Sequence, residues 1–276
     1  MRLGAPVYGS WTDPSDWAEA VRAKGYRAAY CPVGPEADDA TVRAFARAAE
    51  EAGLVIAEVG VWNNPLVADA DERERNVAAC VAKLDLAERI GARCCVNIAG
   101  TRSPVWDGPD PSNYEPETFD AIVETTRRIV DAVKPRRTFF TLEPMPWMLP
   151  DSPDSYLDLL RAVDRPSFAV HLDPVNMVNS PPKFLRNGEF LRECFSKLGP
   201  WVKSIHAKDM VLGTKLTVHL DEVRPGLGGI DYRTFLTCAA ELGDVPFLLE
   251  HLPTESDYDE AAAYVRRVAA EVGVEL

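Results

Sequence analysis

The chain has 276 residues, 46% of them hydrophobic and 26% charged, and its formal net charge is −13. This composition is typical of a globular protein with a sizeable core, and the acidic balance disfavours nucleic acid and anionic membranes as partners, because both bind clustered Lys and Arg. No apolar run approaches the ~18 residues of a membrane span, no signal-peptide pattern begins the chain, and the six cysteines form no C-x-x-C pair, so we expect a cytoplasmic protein.

Two hydrophobic periodicities alternate along the chain. Short runs rich in Val, Ile, Phe and Cys predict buried strands, and longer segments with an apolar residue at every third or fourth position predict helices. The predicted strands span residues 3–8, 28–32, 54–61, 93–98, 137–142, 167–172, 202–205 and 245–249. The predicted helices span residues 14–23, 39–52, 70–90, 116–133, 153–163, 184–198, 232–242 and 258–270.

The order of these elements predicts the fold class. Eight consecutive strand-helix units, without a linker or a low-complexity tract, favour a single-domain (β/α)8 TIM barrel over residues 1–276. An open, doubly wound sheet is the competing α/β architecture.

Two connections are longer than the rest, residues 99–115 and residues 210–230. Loops of this length inside a compact domain are often functional. Within the second, Lys215–Leu220 alternates apolar and polar side chains, which predicts a strand in a hairpin arm over the site.

Four predicted strands in succession end in a side chain that can bind a metal, namely Glu143, Asp173, His206 and Glu250. Active sites of such barrels lie at the carboxyl ends of the strands. One such carboxylate alone is ordinarily a helix cap or a surface charge, but three carboxylates in one place repel each other unless a cation joins them. Three carboxylates and an imidazole suit Mn²⁺, Mg²⁺ or Co²⁺, and also Zn²⁺.

The motifs around these residues resemble the xylose-isomerase-like TIM barrel superfamily of sugar isomerases and epimerases, over nearly the whole chain. The resemblance rests on the strand-end Glu143, Leu-Asp-Pro at 172–174, His-Ala-Lys-Asp at 206–209, Pro-Gly-Leu-Gly at 225–228 followed by Ile-Asp-Tyr at 230–232, and Glu250-His251.

The resemblance implies a site with one divalent metal, for which we expect Mn²⁺, with Mg²⁺, Co²⁺ or Zn²⁺ as alternatives. It implies that Glu143 and Glu250 bind the metal and exchange the substrate proton from opposite faces, and that Asp173 and His206 are further metal ligands. The implied enzyme of carbohydrate metabolism is an isomerase or epimerase of a ketose or keto-sugar derivative, and a homo-oligomer is plausible by the same resemblance. The proton next to the carbonyl would be removed through a metal-stabilised enediolate.

Substrate contacts follow from the same comparison. The resemblance implies that Arg224, before the Pro-Gly-Leu-Gly turn, contacts substrate oxygens. Asn176 stands three residues after Asp173, where epimerases of the group often have a histidine, and this departure disfavours simple ketose 3-epimerisation. His171 precedes Asp173 by two residues and is expected to share its strand face one layer deeper.

Further residues near the expected barrel mouth are candidates for substrate binding. Lys208 could bind a substrate oxygen or phosphate, or it could pair with Asp209 or a neighbouring carboxylate. Trp62, Trp106 and Trp147 follow strands and could form aromatic walls for a sugar or pack the loops. By strand alternation, His251 is expected to point away from Glu250.

Three other functions compete with isomerisation. A metal-dependent lyase or dehydratase acting on a keto-inositol or an oxidised glycoside would use the same site and the same proton abstraction. An abasic-site endonuclease shares the barrel, binds DNA and uses a histidine-rich cluster of several zinc ions. It is disfavoured by the net charge of −13 and by the presence of only four histidines. A non-catalytic sugar-binding barrel is disfavoured by the intact set of four metal-competent residues.

Overall fold

Eight short parallel strands form a closed wall, and each is followed by at least one helix. The computed structural model describes all residues 1–276. Its strands are β1 (Arg2–Gly4), β2 (Ala28–Tyr30), β3 (Val55–Gly60), β4 (Cys94–Asn97), β5 (Phe140–Leu142), β6 (Phe168–Leu172), β7 (Val202–Ala207), β8 (Asp209–Leu212), β9 (Leu220–Val223) and β10 (Pro246–Leu249). Its α-helices are α1 (Pro14–Ala23), α2 (Asp39–Glu51), α3 (Ala70–Ile90), α4 (Pro116–Val133), α5 (Pro153–Val163), α6 (Pro181–Leu185), α7 (Asn187–Leu198), α8 (Tyr232–Glu241) and α9 (Glu255–Val272).

The strand order closes the barrel. Around the wall it is β1-β10-β7-β6-β5-β4-β3-β2, every pair is parallel, and β2 returns to β1. The predicted (β/α)8 TIM barrel is therefore confirmed. The carboxyl ends of β5, β6, β7 and β10 are neighbours along one arc of the mouth.

Helix boundaries follow the capping residues of the sequence. Asp13 accepts a hydrogen bond from the Ser15 amide, and proline fills the first turn of α1. Ser152 and Ser155 form a capping box at the start of α5. The structure gives α1, α3, α4 and α5 the bounds that the sequence predicts.

The predicted helix over residues 184–198 is wrong at its start. The structure has two helices, α6 and α7, separated at Arg186. Two prolines form the first turn of α6, a position where proline is favoured because its missing N–H has no intrahelical partner. Asn187 then donates hydrogen bonds to the carbonyls of Phe184 (2.7 Å) and Gly229 (3.0 Å), which fixes the break between the helices.

The hairpin arm exists, but the predicted strand over Lys215–Leu220 is wrong. The paired strands are β8 and β9, with Val211 opposite Asp221, and residues 213–219 form the connecting turn. Leu216 is fully exposed and Val218 is 56% exposed. Neither side chain therefore packs against a surface, and alternation predicts a strand only where one face of that strand is packed.

Asp209 holds the end of this long connection in place. Its carboxylate accepts hydrogen bonds from the amides of Met210, Gly226, Gly228 and Ile230, at 2.9–3.1 Å. A Cβ on Gly228 would overlap the Asp209 carboxylate, so this approach requires glycine. The motif at 206–209 and the glycine turn are thus one structural unit at the barrel mouth.

None of the helices combines the length and apolar content needed to span a bilayer.

Candidate metal centre

Four strand-end side chains converge on one point at the barrel mouth. Glu143, Asp173 and Glu250 immediately follow β5, β6 and β10, and His206 is the penultimate residue of β7. One ligand atom from each lies within 4.8 Å of the others. His206 Nδ1 is 3.2 Å from Glu143 Oε1 and 3.0 Å from Glu250 Oε2. The geometry therefore brings together the four residues that the sequence predicts as metal ligands.

Lys208 places a cation among these carboxylates. Its side chain is 1% exposed, and its Nζ lies 2.9 Å from Asp173 Oδ2, 2.8 Å from Glu250 Oε2 and 3.3 Å from Glu143 Oε1. The sequence leaves two roles open for Lys208, and these contacts show that it pairs with neighbouring carboxylates. The three ion pairs hold the ammonium in the candidate site itself.

The charges in the cluster depend on one another. Burial opposes ionisation of Glu143, but Lys208 and His206 outweigh it and hold the pKa of this carboxyl well below its usual value. Burial opposes ionisation of Glu250 as well, but His206 and Lys208 together outweigh it and lower the pKa of this carboxyl to about 2. Burial raises the pKa of Asp173 to about 7 against the attraction of Lys208. Positive charge thus outweighs burial at the two glutamates, whereas burial outweighs it at Asp173.

The residues present fit a divalent cation. Asp173 Oδ2 and Glu250 Oε2 are completely buried and make no hydrogen bond, although the Lys208 ammonium lies close to both. A buried carboxylate oxygen calls for a charged partner; the Lys208 ammonium is one, at 2.8–2.9 Å, and a bound cation would be another. Three carboxylates and one imidazole are an oxygen-rich set that suits Mg²⁺ or Mn²⁺.

A second polar layer lies beneath the cluster, inside the barrel. Glu58 on β3 is 1% exposed, its Oε1 is 3.3 Å from His206 Nε2, and its Oε2 accepts a hydrogen bond from Ser204 at 3.2 Å. His171 lies 3.5 Å from the same carboxylate, and its ring meets the His206 ring edge-on with centroids 4.0 Å apart. If His206 binds a metal through Nδ1, its proton must be on Nε2, and Glu58 accepts that proton in a hydrogen bond.

This contact gives a test that does not depend on activity. We expect Glu58→Gln to weaken binding of Mn²⁺ by about 10–100-fold, because the carboxylate that orients His206 and increases its basicity is lost. Isothermal titration calorimetry on the metal-free protein measures this change. Ser204→Ala, which removes the other partner of Glu58 but leaves the His206 contact, is the matched control and should bind Mn²⁺ nearly as tightly as the wild type.

Of the remaining polar candidates, Asn176 and His171 lie in or beneath the cluster, whereas Arg224 pairs with a residue outside it. Asn176 lies in the cluster, since its side-chain Nδ2 donates to Glu143 Oε1 (3.3 Å) and its backbone N–H donates to Asp173 Oδ1 (3.1 Å). His171 is fully buried in the deeper layer, as its position two residues before Asp173 predicts. Arg224 instead pairs with Glu260 of α9 at 2.6 Å, so its contact with substrate stays a prediction that requires this ion pair to open.

The three tryptophans lie at the barrel mouth and are 38–47% exposed. Trp147 donates from Nε1 to the Asp107 carbonyl at 2.6 Å and so ties two loops together, whereas Trp106 is the most exposed of the three. Trp62 stands 6.2 Å from the His206 ring, between centroids, and adopts a left-handed φ of 58°. A Cβ on Gly60 would overlap the Trp62 indole, so glycine at position 60 leaves the space in which Trp62 lies beside the cluster.

His251 departs from its predicted direction. Strand β10 ends at Leu249, and His251 has a left-handed φ of 57°, so the strand alternation does not reach it. Its ring lies 3.4 Å from Glu250 and 3.3 Å from Glu222 of the hairpin arm. Glu222 raises the pKa of His251 through this hydrogen bond. The arm thus reaches the rim of the site next to Glu250.

Two features of the site were not found from the sequence. Glu58 offers one signal, a lone carboxylate inside the apolar segment Val55–Gly60, but nothing in the sequence pairs it with His206. The other feature is a cavity beside Glu250, formed by β2, by the residues that follow β1, β2 and β3, and by α1 and α9. Neither has a local motif, because each depends on strands that are distant in sequence.

Comparison with known proteins identifies the family. A family model described as xylose isomerase-like TIM barrel matches residues 18–268, whereas no curated protein sequence matches the chain significantly. Among solved structures, a xylose isomerase-like TIM barrel protein from Mycobacterium smegmatis in complex with magnesium has a TM-score of 0.66 and 19% identity, covering 94% of this chain and 90% of that one. D-psicose 3-epimerase from Clostridium cellulolyticum, solved with D-tagatose, has a TM-score of 0.69 and 15% identity over the full length of both chains, 100% of each.

The same fold also serves a different chemistry. Endonuclease IV from Thermus thermophilus has a TM-score of 0.74 and 18% identity, covering 98% of this chain and 100% of that one. At such identities the likeness of these structures shows the fold alone, and function must be argued from the site. The family model spans most of the chain and agrees with the closed barrel, and the chain therefore belongs to the xylose isomerase-like TIM barrel family.

Proposed function

We propose that this protein is a metal-dependent isomerase or epimerase that moves a proton at the carbon next to the carbonyl of a keto-sugar. The observation that carries the proposal is the relation of Glu143 and Glu250. They follow non-adjacent strands of one arc, with Asp173 and His206 between them, and both lie within 3.2 Å of the same His206 nitrogen. Two carboxylates thus flank one centre, as proton exchange on two faces of a substrate requires.

Each residue has a role in this proposal. Glu143, Asp173, His206 and Glu250 would hold Mn²⁺ or Mg²⁺. A divalent cation held by these residues would supply Lewis-acid stabilisation of the negative charge that develops on the substrate oxygen. Glu58 keeps the His206 ring in the orientation that presents Nδ1 to the centre, because its carboxylate lies 3.3 Å from Nε2 on the other side of the ring.

The chain's own groups account for the movement of the proton. One glutamate, as the carboxylate, removes the carbon-bound proton, and the other, after taking up a proton from solvent, returns that proton to the same carbon from the opposite side. Lys208 provides a fixed positive charge near the oxygen on which charge grows, and this charge is effective because water is largely excluded from the buried ammonium. Asn176, in the turn after β6, donates from Nδ2 to Glu143 Oε1 and to the Pro144 carbonyl, and so keeps the first glutamate in place.

Two similarities support the proposal. A related fold is named as a D-psicose 3-epimerase and another was solved with magnesium. An endonuclease is disfavoured by the types of ligand in the site, which are three carboxylates and one imidazole rather than a histidine-rich set.

The direct test is hydrogen exchange. Incubating the protein in D₂O with Mn²⁺ and a panel of unphosphorylated ketohexoses and 3-keto-glycosides should introduce deuterium next to the carbonyl of at least one compound, as followed by ¹H NMR. Chelating the metal with EDTA should abolish the exchange, and adding Mn²⁺ should restore it. Exchange that persists in EDTA, or none throughout the panel, would contradict the proposal.

A second candidate, elimination of a substituent after the same proton abstraction, is favoured by one observation. A cavity adjoins Glu250 and provides space for a group beyond the reacting carbons. The exchange experiment separates the two. An isomerase returns a labelled sugar of unchanged composition, whereas a lyase releases water or another leaving group and the sugar signals disappear.

A further inference from the structure

The cavity beside Glu250 lies on the side of the barrel mouth opposite Glu143. Its volume is about 460 Å³, and its walls come from β2, from the residues after β1, β2, β3 and β10, and from α1 and α9. The four candidate metal ligands occupy β5, β6, β7 and β10, so Glu250 is the one residue shared by the cluster and the cavity. A molecule that reaches the metal with one end can therefore extend over Glu250 into this space.

The walls of the cavity are aromatic and apolar. Ten of its 14 lining residues are hydrophobic, and they include Trp11, Trp62, Tyr30 and Tyr258. The Tyr30 hydroxyl donates to the Leu249 carbonyl at 3.2 Å, and the Tyr258 hydroxyl accepts from the Leu252 amide at 3.3 Å. Since both phenol oxygens already bond to the backbone, these tyrosines contribute mainly ring surface.

The charges around the cavity exclude an anionic occupant. No lysine or arginine lines it, and its carboxylate, Glu250, would repel a phosphate or a carboxylate. The one lining group that can become cationic, His251, is already 3.3 Å from Glu222 and 3.4 Å from Glu250. Phosphate groups are ordinarily held by Arg, Lys or a helix amino terminus, so this part of the site does not suit a sugar phosphate.

We propose that the cavity binds an uncharged aromatic substituent of the substrate, so that the enzyme acts on an aryl-bearing keto-sugar rather than on a free or phosphorylated monosaccharide. The inference rests on the proposed function for the sugar end of the molecule. The size of the cavity lies within the ~300–1,000 Å³ of ligand pockets for drug-sized molecules. Indole and phenol rings pack well against an aromatic ring in offset or edge-on contact.

The test is a binding measurement with two uncharged probes, phenyl β-D-glucopyranoside and methyl β-D-glucopyranoside, by isothermal titration calorimetry on the Mn²⁺-loaded protein. We expect the phenyl glucoside to bind at least ~10-fold more tightly, because its ring leaves water for an apolar wall. Saturation-transfer NMR should place the strongest contacts on the phenyl protons. Cellobiose is a third probe, in which a second sugar replaces the phenyl group. Tighter binding of cellobiose, or equal binding of the phenyl and methyl glucosides, would overturn the inference.

Two variants locate the binding site. Val7→Trp fills the cavity with a bulky side chain on a lining residue outside the metal cluster, and Trp11→Ala removes part of its wall. Either variant should reduce the phenyl preference to less than ~3-fold, provided that circular dichroism shows the wild-type fold. Trp201→Ala, which alters a 40% exposed tryptophan directly before β7 and outside the cavity, is the matched control and should retain the preference. A preference that survives both cavity variants would contradict the assignment.

The result of this binding experiment is independent of the result of the deuterium-exchange experiment that tests the proposed function. A phenyl preference that depends on Val7 and Trp11, without deuterium exchange in any sugar, would support the cavity and contradict the proposed chemistry. Metal-dependent exchange of free ketoses without a phenyl preference would support the chemistry and contradict the cavity assignment.

Discussion

The Glu143→Gln variant is expected to retain its fold and to lose about 10²–10⁴-fold of the rate of keto-sugar epimerisation, the usual contribution of a general base. Glutamine has the same shape, and its amide oxygen can still accept the hydrogen bond that Asn176 donates to Glu143 Oε1. It cannot accept the substrate proton. Glu250→Gln should have an effect of the same order, because epimerisation needs both glutamates.

Deuterium exchange separates the roles of the two residues. If Glu143 and Glu250 act on opposite faces, Glu143→Gln should slow exchange from one epimer and Glu250→Gln should slow exchange from the other, as measured by NMR in D₂O. Glu222→Gln is the matched control, since Glu222 contacts His251 at the rim but no member of the metal cluster. Unchanged epimerisation in either glutamine variant would contradict the assignment of that glutamate.

The fold and the arc of strand-end residues could be predicted because their signals are local. Each strand is a short apolar run, each helix has a cap or a proline at its start, and the barrel then brings the strand ends together. Glu143, Asp173 and Glu250 could be chosen from the sequence since each directly follows its strand. Closure of the barrel is the only long-range step, and eight consecutive strand-helix units specify it.

The deeper layer could not be predicted because it depends on contacts across the barrel. Glu58 and His206 are 148 positions apart and touch only because β3 and β7 face each other across the interior. A lone glutamate in an apolar strand indicates a buried charge, but its partner depends on the stagger of the closed barrel. The cavity beside Glu250 has the same origin, since its walls come from both ends of the chain.

Local signals also failed where the backbone leaves regular structure. The alternation at Lys215–Leu220 predicted a strand, yet the side chains in question are exposed in a turn. Alternation at His251 predicted a side chain directed away from Glu250, but its left-handed backbone turns the ring back toward the site. A periodic pattern predicts direction only within the element that generates it.

The Asp173→Asn variant is expected to lose most of the metal-dependent stability of the protein. A metal that binds the folded state stabilises it by about 2.7 kcal/mol when its concentration is 100 times Kd. Removing one of three anionic ligands should raise Kd for Mn²⁺ by at least ~100-fold, more than the loss of an orienting residue outside the ligand set. At the same Mn²⁺ concentration the variant should then gain less than about 0.5 kcal/mol.

The asparagine substitution isolates the ligand role of Asp173 from its role in the loop. Asp173 Oδ1 accepts hydrogen bonds from the amides of Val175 (3.0 Å) and Asn176 (3.1 Å), and the side-chain oxygen of asparagine can keep both. The oxygen that faces Lys208 becomes an NH₂ group, which neither binds a cation nor pairs with the ammonium. Asp173→Ala removes both functions and should therefore be less stable than Asp173→Asn even in EDTA.

Urea unfolding with and without Mn²⁺ measures both effects, with EDTA defining the metal-free baseline. Glu222→Gln again serves as the control and should keep the full gain from Mn²⁺, because it removes a carboxylate of the mouth but not of the cluster. An Asp173→Asn protein that gains as much stability from Mn²⁺ as the wild type would exclude Asp173 as a ligand. Since β6 and β7 place Asp173 and His206 side by side between the two glutamates, that result would also move the metal away from the point on which the proposed proton exchange depends.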